Sequence, residues 1–234
     1  VQDAYSLRCV PQVHGACRDS IRYAYDVISR EINAVTDNPI IFPDEDDVIS
    51  GGNFHGEPVG LAMDFIAIAI AELADISERR TERLVNPQLS GLPAFLIEHG
   101  GVNSGLMITQ YAAASMVSEN KVLAHPACVD SIPSSANQED HVSMGTTAAR
   151  KALSILDNSQ KVLGIELFAA SQAMTFRDES KLGKAMSAVY SHIRKSVPAW
   201  EHDQISYIEM NKFDAMVKSA ELNDLVEQTI GEIK

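Results

Sequence analysis

Apolar residues recur at helical spacing over most of this chain. Between residues 12 and 36, Val13, Ala16, Ile21, Ala24, Val27, Ile28 and Ile32 follow that spacing. Asn38-Pro39 ends the run, because the residue before a proline is pushed out of helical geometry. Residues 57–85 begin ambiguously, since Ile66, Ile68 and Ile70 alternate with alanine as a strand would. Their length and their Ala, Leu, Glu and Arg content predict a helix instead. It is apolar nearly all round at its start and charged near its end, at Glu78, Arg79, Arg80, Glu82 and Arg83.

Residues 103–124 repeat this character, and the small side chains of Ala112, Ala113, Ala114 and Ser115 permit close helix contacts. Ser135 and Gln138 have capping-box spacing. A helical pattern without proline then runs to about Ala173, roughly 55 Å at the helical rise. Amphipathic helices follow at 180–196 and 204–230. The predicted fold class is all-α with no sheet. Helices apolar on every side must be buried among others or between subunits, so long central helices forming a bundle shared between subunits are expected.

Composition narrows the functions. The 234 residues are 45% hydrophobic, enough for a sizeable core, and 22% charged, which argues against disorder. A formal net charge of −13 repels phosphate backbones and anionic lipid, so neither nucleic acid nor a membrane surface is an expected partner. One local arginine can still hold a small anion. The longest apolar stretch, Val59 to Ala74, is too short to span a bilayer and is broken by Asp64 and Glu72. Cys9, Cys17 and Cys128 form no CxxC pair and are odd in number, which points to a reducing cytoplasm and a soluble protein. A first residue of Val without a leader segment suggests a fragment or a processed chain.

Three segments carry candidate chemistry. In Val-Gln-Asp-Ala-Tyr-Ser-Leu-Arg-Cys, a helical reading puts Gln2, Tyr5 and Arg8 near one face. An amide, a phenol and a guanidinium there would suit an amino-acid carboxylate, although a Tyr–Arg pair three apart is also a common surface pair. Ser50 to Pro58 packs three glycines with Asn53, Phe54, His55 and Glu57 before a buried helix, as a ligand loop or an ordinary helix-initiating turn would. Glu139 is predicted in the first turn of the long helix, where the dipole favours its charge and burial opposes it. It could carry a proton, meet an imidazole, or simply complement the dipole. The acidic run Pro43 to Asp47 lacks the alternating ligands and central glycine of a calcium loop and reads as a solvated turn. No phosphate loop, HExxH or G-x-S-x-G occurs, and no metal site is expected.

Together, six ordered stretches resemble the aromatic amino-acid ammonia-lyase family, and its histidine-cleaving members most closely. They are QDAYSLRCVPQVHGA (2–16), NAVTDNPI (33–40), SGGNFHGEP (50–58), ISERRTERLVNPQLSGLPAFL (76–96), SENKVLAHPA (118–127) and DSIPSSANQEDHVSMG (130–145). The resemblance marks residues 1–234 as a C-terminal helical portion, although residues 177–234 carry no matching motif. It implies elimination of ammonia from L-histidine to give urocanate, on a methylidene-imidazolone that such proteins make from an internal Ala-Ser-Gly. It also implies a cytoplasmic homotetramer.

By the family pattern Arg8 binds the substrate carboxylate, Gln2 and Tyr5 build the surroundings of the electrophile, and Phe54 packs beside it. Glu139 meets the substrate imidazole or helps move protons. In members acting on phenylalanine or tyrosine the comparable motif looks like Asn-Gln-Asp, with an amide where this chain has Glu139. A carboxylate pairs with an imidazole N–H and poorly with a phenyl ring, which favours histidine. The alternatives are a phenylalanine or tyrosine ammonia-lyase or aminomutase, or a non-catalytic helical assembly module. No Ala-Ser-Gly occurs in the 234 residues, so the chain alone is expected to be inactive.

Overall fold

A computed structural model describes residues 2–232. Among them are nine α-helices: α1 (Tyr5–Arg8), α2 (Val10–Glu31), α3 (Glu57–Val85), α4 (Pro87–Ser90), α5 (Met107–Leu123), α6 (Gly145–Met174), α7 (Lys184–Ser196), α8 (Ser206–Ser219) and α9 (Glu221–Ile230). The helical class is as the periodicity predicts. One small hairpin departs from it, β1 (Ile40–Phe42) pairing antiparallel with β2 (Asp47–Ile49) around the exposed acidic turn. Strands of three residues are too short to leave a period of two in the sequence.

The chain divides into two compact units. One comprises Val1–Cys9, Ala74–Glu119 and Asp157–Lys234; the other comprises Val10–Leu73 and Asn120–Leu156.

The first unit is built on aromatic packing. The Phe168 ring meets Trp200 edge-on and Phe213 in a stack, each at 5.3 Å between centroids, and Leu96, Leu106, Val189, Ile193 and Val197 close around them. Buried Gln172 is satisfied at both ends. It donates to the carbonyls of Leu96 and Trp200 at 3.1 and 2.9 Å and accepts from the Trp200 amide at 3.0 Å. The segment without a recognisable motif therefore supplies much of this core. Gly164 is required where α8 crosses α6, since a Cβ there would stand 3.0 Å from the Asp214 amide nitrogen.

Two predictions shift in this unit. The expected 204–230 helix is two helices, divided at Ala220 with a left-handed φ of 58°. The reversal lets Leu222, Leu225 and Val226 of α9 pack on the same core. The 180–196 helix begins at Lys184, after a short turn capped by Asp178.

In the second unit, α2 packs on α3 through Ala24, Val27 and Ala62, while Ala67, Ala152, Ile155, Leu123 and Ala124 form a neighbouring cluster. Asp64, the charge that interrupts the apolar stretch, accepts from the amides of Ala127 and Cys128 at 2.7 Å each and pairs with Lys151 at 3.3 Å. These hydrogen bonds hold its carboxyl below the usual range against the opposing effect of burial. Helix α2 stops at Glu31, five residues short of the expected end. Asn33 folds back to donate to the Ser29 carbonyl at 2.7 Å, satisfying an acceptor at the helix terminus.

The long helix is the main correction. It begins at Gly145, not at the Ser135–Gln138 signature, and runs 30 residues to Met174.

Candidate active site

The candidate residues fall in two groups, one in each unit. In the first unit Arg8 donates from Nη1 to Gln2 Oε1, and its guanidinium lies 4.6 Å from the centroid of the Tyr5 ring. Gln2 joins by this hydrogen bond and not by helical register, because the helix covers only Tyr5–Arg8. Helix α2 resumes at Val10, with Pro11 in its first turn, where a missing amide costs nothing. Tyr5 is 69% exposed and Gln2 and Arg8 also face solvent. A guanidinium has five N–H donors, so its bond to Gln2 leaves enough for two parallel bonds to a carboxylate.

The turn is braced from behind. Arg80 bonds both carboxylate oxygens of Glu166, the Nη2–Oε2 contact being 2.7 Å, and Ser77 Oγ adds a third bond to Glu166 at 2.6 Å. Arg80 and Glu166 are only 15% and 18% exposed, and Arg80 also reaches the Ser6 carbonyl at 3.4 Å. Asp3 and Leu7, on the same segment as the three candidates, line a cavity of about 690 Å³ with Arg80, Glu166 and Tyr190. Sequence reasoning missed Glu166. Its partner lies 86 positions away, a separation that no local spacing reveals.

The second unit holds Phe54 and Glu139, each in a loop. Phe54 is 55% exposed, just before α3. Glu139 forms an isolated bridge with Ser134. The Ser134 amide donates to the Glu139 carbonyl at 2.9 Å, and the Glu139 amide returns a bond at 3.3 Å. Between them Ser135, Ala136 and Asn137 have φ of 51°, 54° and 71°, a left-handed turn made without glycine.

Glu139 is thus outside any helix, six residues before α6, and the expected influence of the dipole is replaced by another cause. Hydrogen bonds from the Ser134 hydroxyl, then from Ser135, hold its carboxyl below the ordinary range. Of the two opposed influences expected on its charge, neither decides it: two serines favour the carboxylate.

The Phe54 and Glu139 loops touch through their neighbours. His55 Nε2 lies 3.1 Å from the His141 carbonyl and 3.3 Å from its Nδ1, and the rings stack at 5.3 Å. A Cβ on Gly56 would stand 2.8 Å from Ser143 Oγ, so the two segments approach closely there and a side chain would make the serine hydroxyl turn away.

The thiols have another character. Burial, then the hydrogen bond and charge of Asp64, push Cys128 up to about 11, and burial with Glu72 raises Cys17. Neither is a ready thiolate nucleophile at neutral pH. Among the described residues, no group of three or more His, Cys, Asp or Glu could hold a metal ion, and no helix is long and apolar enough to cross a membrane.

A long-helix fold that presents a guanidinium, an amide, a phenol and a carboxylate fits proteins that handle amino acids. The model of the aromatic amino acid lyase family matches residues 1–195. Histidine ammonia-lyase of Alkaliphilus metalliredigens is 64% identical over 230 residues, which are 98% of this chain and 45% of that protein. The Symbiobacterium thermophilum histidine ammonia-lyase is 60% identical over 233 residues, 100% and 46% of the two.

Among solved structures, histidine ammonia-lyase from Trypanosoma cruzi superposes with a TM-score of 0.94 at 46% identity, over 99% of this chain and 46% of that one. Tyrosine aminomutase from Streptomyces globisporus gives 0.94 at 36% identity, over 100% and 44%. The chain belongs to the aromatic amino acid lyase family. It spans about half the length of the curated relatives it matches.

Proposed function

We propose that this chain is the C-terminal, substrate-holding portion of a histidine ammonia-lyase, which breaks the C–N bond of L-histidine, removes a β-proton and yields urocanate and ammonia. The observation that carries the reading is Glu139, a carboxylate held ionised by two serine hydroxyls within a family whose members also act on uncharged rings. An ionised oxygen accepts from an imidazole N–H and gains nothing from a phenyl ring. The names of the similar curated proteins agree.

Arg8 holds the substrate carboxylate through its two-donor edge, steadied by Gln2, and Phe54 flanks the substrate ring. Glu139 orients the imidazole or takes part in proton movement, and Tyr5 lines the same surroundings as Arg8.

Gln2 accepts from Arg8 through Oε1 and keeps its amide N–H groups as donors, which with the phenol of Tyr5 would hold the carbonyl of a methylidene-imidazolone ring, although the Ala-Ser-Gly from which the ring forms is not among the 234 residues. Such a ring supplies the electrophile that draws electrons from the amino acid. The 234-residue polypeptide by itself is therefore catalytically silent.

The protein is cytoplasmic and works as a homotetramer. Exposed Leu61, Phe65 and Ile68 on α3, and Ile108 and Tyr111 on α5, support burial of these helices against further copies.

Urocanate formation tests the reading. The complete gene product containing these residues is expected to convert L-histidine and to leave phenylalanine and tyrosine unchanged, while the 234-residue chain alone does nothing. Preference for phenylalanine or tyrosine overturns the substrate, and turnover by the chain alone overturns its silence.

A further inference from the structure

The contact between His55 and His141 has a defined sense, because two of its partners are backbone groups with fixed roles. The Glu57 amide can only donate, and it lies 3.3 Å from His55 Nδ1, so that nitrogen carries a lone pair. The His141 carbonyl can only accept, and it lies 3.1 Å from His55 Nε2, so that nitrogen carries the hydrogen. Both constraints select one neutral tautomer. The same Nε2–H faces His141 Nδ1 at 3.3 Å, which makes the second ring an acceptor on that side. One imidazole thereby links the N-terminal turn of α3 to a residue of the 131–143 loop.

The rest of the interface has matching register. Gly56 faces Ser143, and a Cβ on Gly60 would lie 3.5 Å from the Gly145 Cα. From His55/His141 through Gly56/Ser143 to Gly60/Gly145, the two segments lie side by side, with the imidazole pair at the end nearest the candidate residues. Phe54 immediately precedes His55, and Glu139 lies two residues before His141.

We infer that His55 and His141 are positioning residues: as a tautomer-matched pair they fasten the Phe54 loop to the Glu139 loop and so fix how these two groups together meet an aromatic amino acid. The catalytic consequence rests on the lyase reading above; the coupling of the loops does not. Phe54 is exposed and Glu139 sits on a left-handed turn held by serines, so each loop gains order from the other.

The test uses the complete gene product with two readouts, amide hydrogen exchange and turnover of L-histidine. His55→Leu removes both the donor and the acceptor and is expected to speed exchange across 131–143 about tenfold, the loss of one to two ordinary hydrogen bonds. In the same variant kcat/KM falls about tenfold or more. His55→Gln can still accept at its amide oxygen and donate from its amide nitrogen, and it recovers most of both readouts. His141→Ala combined with His55→Leu is no worse than His55→Leu alone, because the two act as a unit.

The coupling is overturned if exchange in 131–143 is the same in His55→Leu, whatever the activity. Faster exchange with turnover unaltered overturns the positioning role. A wild-type protein that does not act on histidine, yet shows the exchange response, leaves the coupling standing and removes the lyase reading. A melting curve on each variant separates local loosening from global unfolding, since His55→Gln and His55→Leu must then differ in exchange at similar Tm.

Discussion

Arg8 rides a right-handed helical turn that a part-buried Arg80–Glu166 ion pair backs by reaching the Ser6 carbonyl, and its guanidinium is joined at the side by the Gln2 amide. Glu139 follows three consecutive left-handed residues and is held by neutral hydrogen bonds from serines four and five positions upstream. The first arrangement depends on a long-range ion pair and is otherwise relaxed. The second is local in sequence and strained in backbone. A binding group for a carboxylate needs a guanidinium fixed in direction, which a braced helix provides. A group that must remain a carboxylate needs donors close by, and a tight turn delivers them.

Removing the charged groups should have the largest effects. In the complete gene product, Arg8→Ala is expected to lower kcat/KM for L-histidine roughly 1,000-fold through the loss of two charge-assisted hydrogen bonds. Arg8→Lys, which keeps the charge and loses the two-donor edge, should cost roughly tenfold or more. Equal rates for wild type and Arg8→Ala would remove Arg8 from the site.

Glu166→Gln comes next. It strips the partner from Arg80, and with both side chains mostly buried the expected destabilisation is about 2 kcal/mol, read from the midpoint of urea unfolding. An unchanged midpoint would mean that the brace behind Arg8 is solvated and contributes little.

The strained half should respond in the opposite direction. Ala136→Gly places the residue that tolerates φ near 54° at the centre of the left-handed turn. It should stabilise the fold by about 1 kcal/mol less the extra chain entropy of glycine, measurable as a small rise in Tm. A fall in Tm would show that the turn is not strained in the folded chain.

The smallest effect is a titration. Ser134→Ala removes the principal hydrogen bond to the Glu139 carboxylate, so its pKa should move up toward the ordinary range, as followed by carboxyl carbon chemical shift. Because the folded pKa is depressed, the stabilisation linked to it is present above the unfolded pKa and is lost as pH falls through the folded one. The variant narrows that window from its acidic side. An unmoved Glu139 titration would assign the depression to another cause.

Much of the fold was legible before the structure. Helix α3 spans Glu57–Val85 as its composition predicts, because 29 residues of strong helix formers outweigh the short Ile-Ala alternation. The start of α6 was not legible. Ser135 and Gln138 have capping-box spacing, but Ser134 bonds Glu139 instead, and this five-residue bridge wins over helix in a run of Ser, Asn and Asp that compete with the backbone. Nothing at Ala220 signals a break either, since alanine favours helix. The chain reverses there because α9 must lay Leu222 and Leu225 on the Phe168–Phe213 core.

The candidate site divides in the same way. Arg8, Phe54 and Glu139 were named from ordered segments of sequence, whereas Glu166 and the tautomer of His55 were set by partners 86 positions away.

The sequence alone determined the helical class and the family resemblance and named the candidate site groups, because these depend on periodicity and residue type over short spans. Tertiary structure alone decided what holds each group. The brace behind Arg8 and the imidazole link between the two loops join groups 86 positions apart, and the left-handed turn before Glu139, though local, replaces the helix start that its residue types suggest. Which hydrogen bonds win is settled by packing.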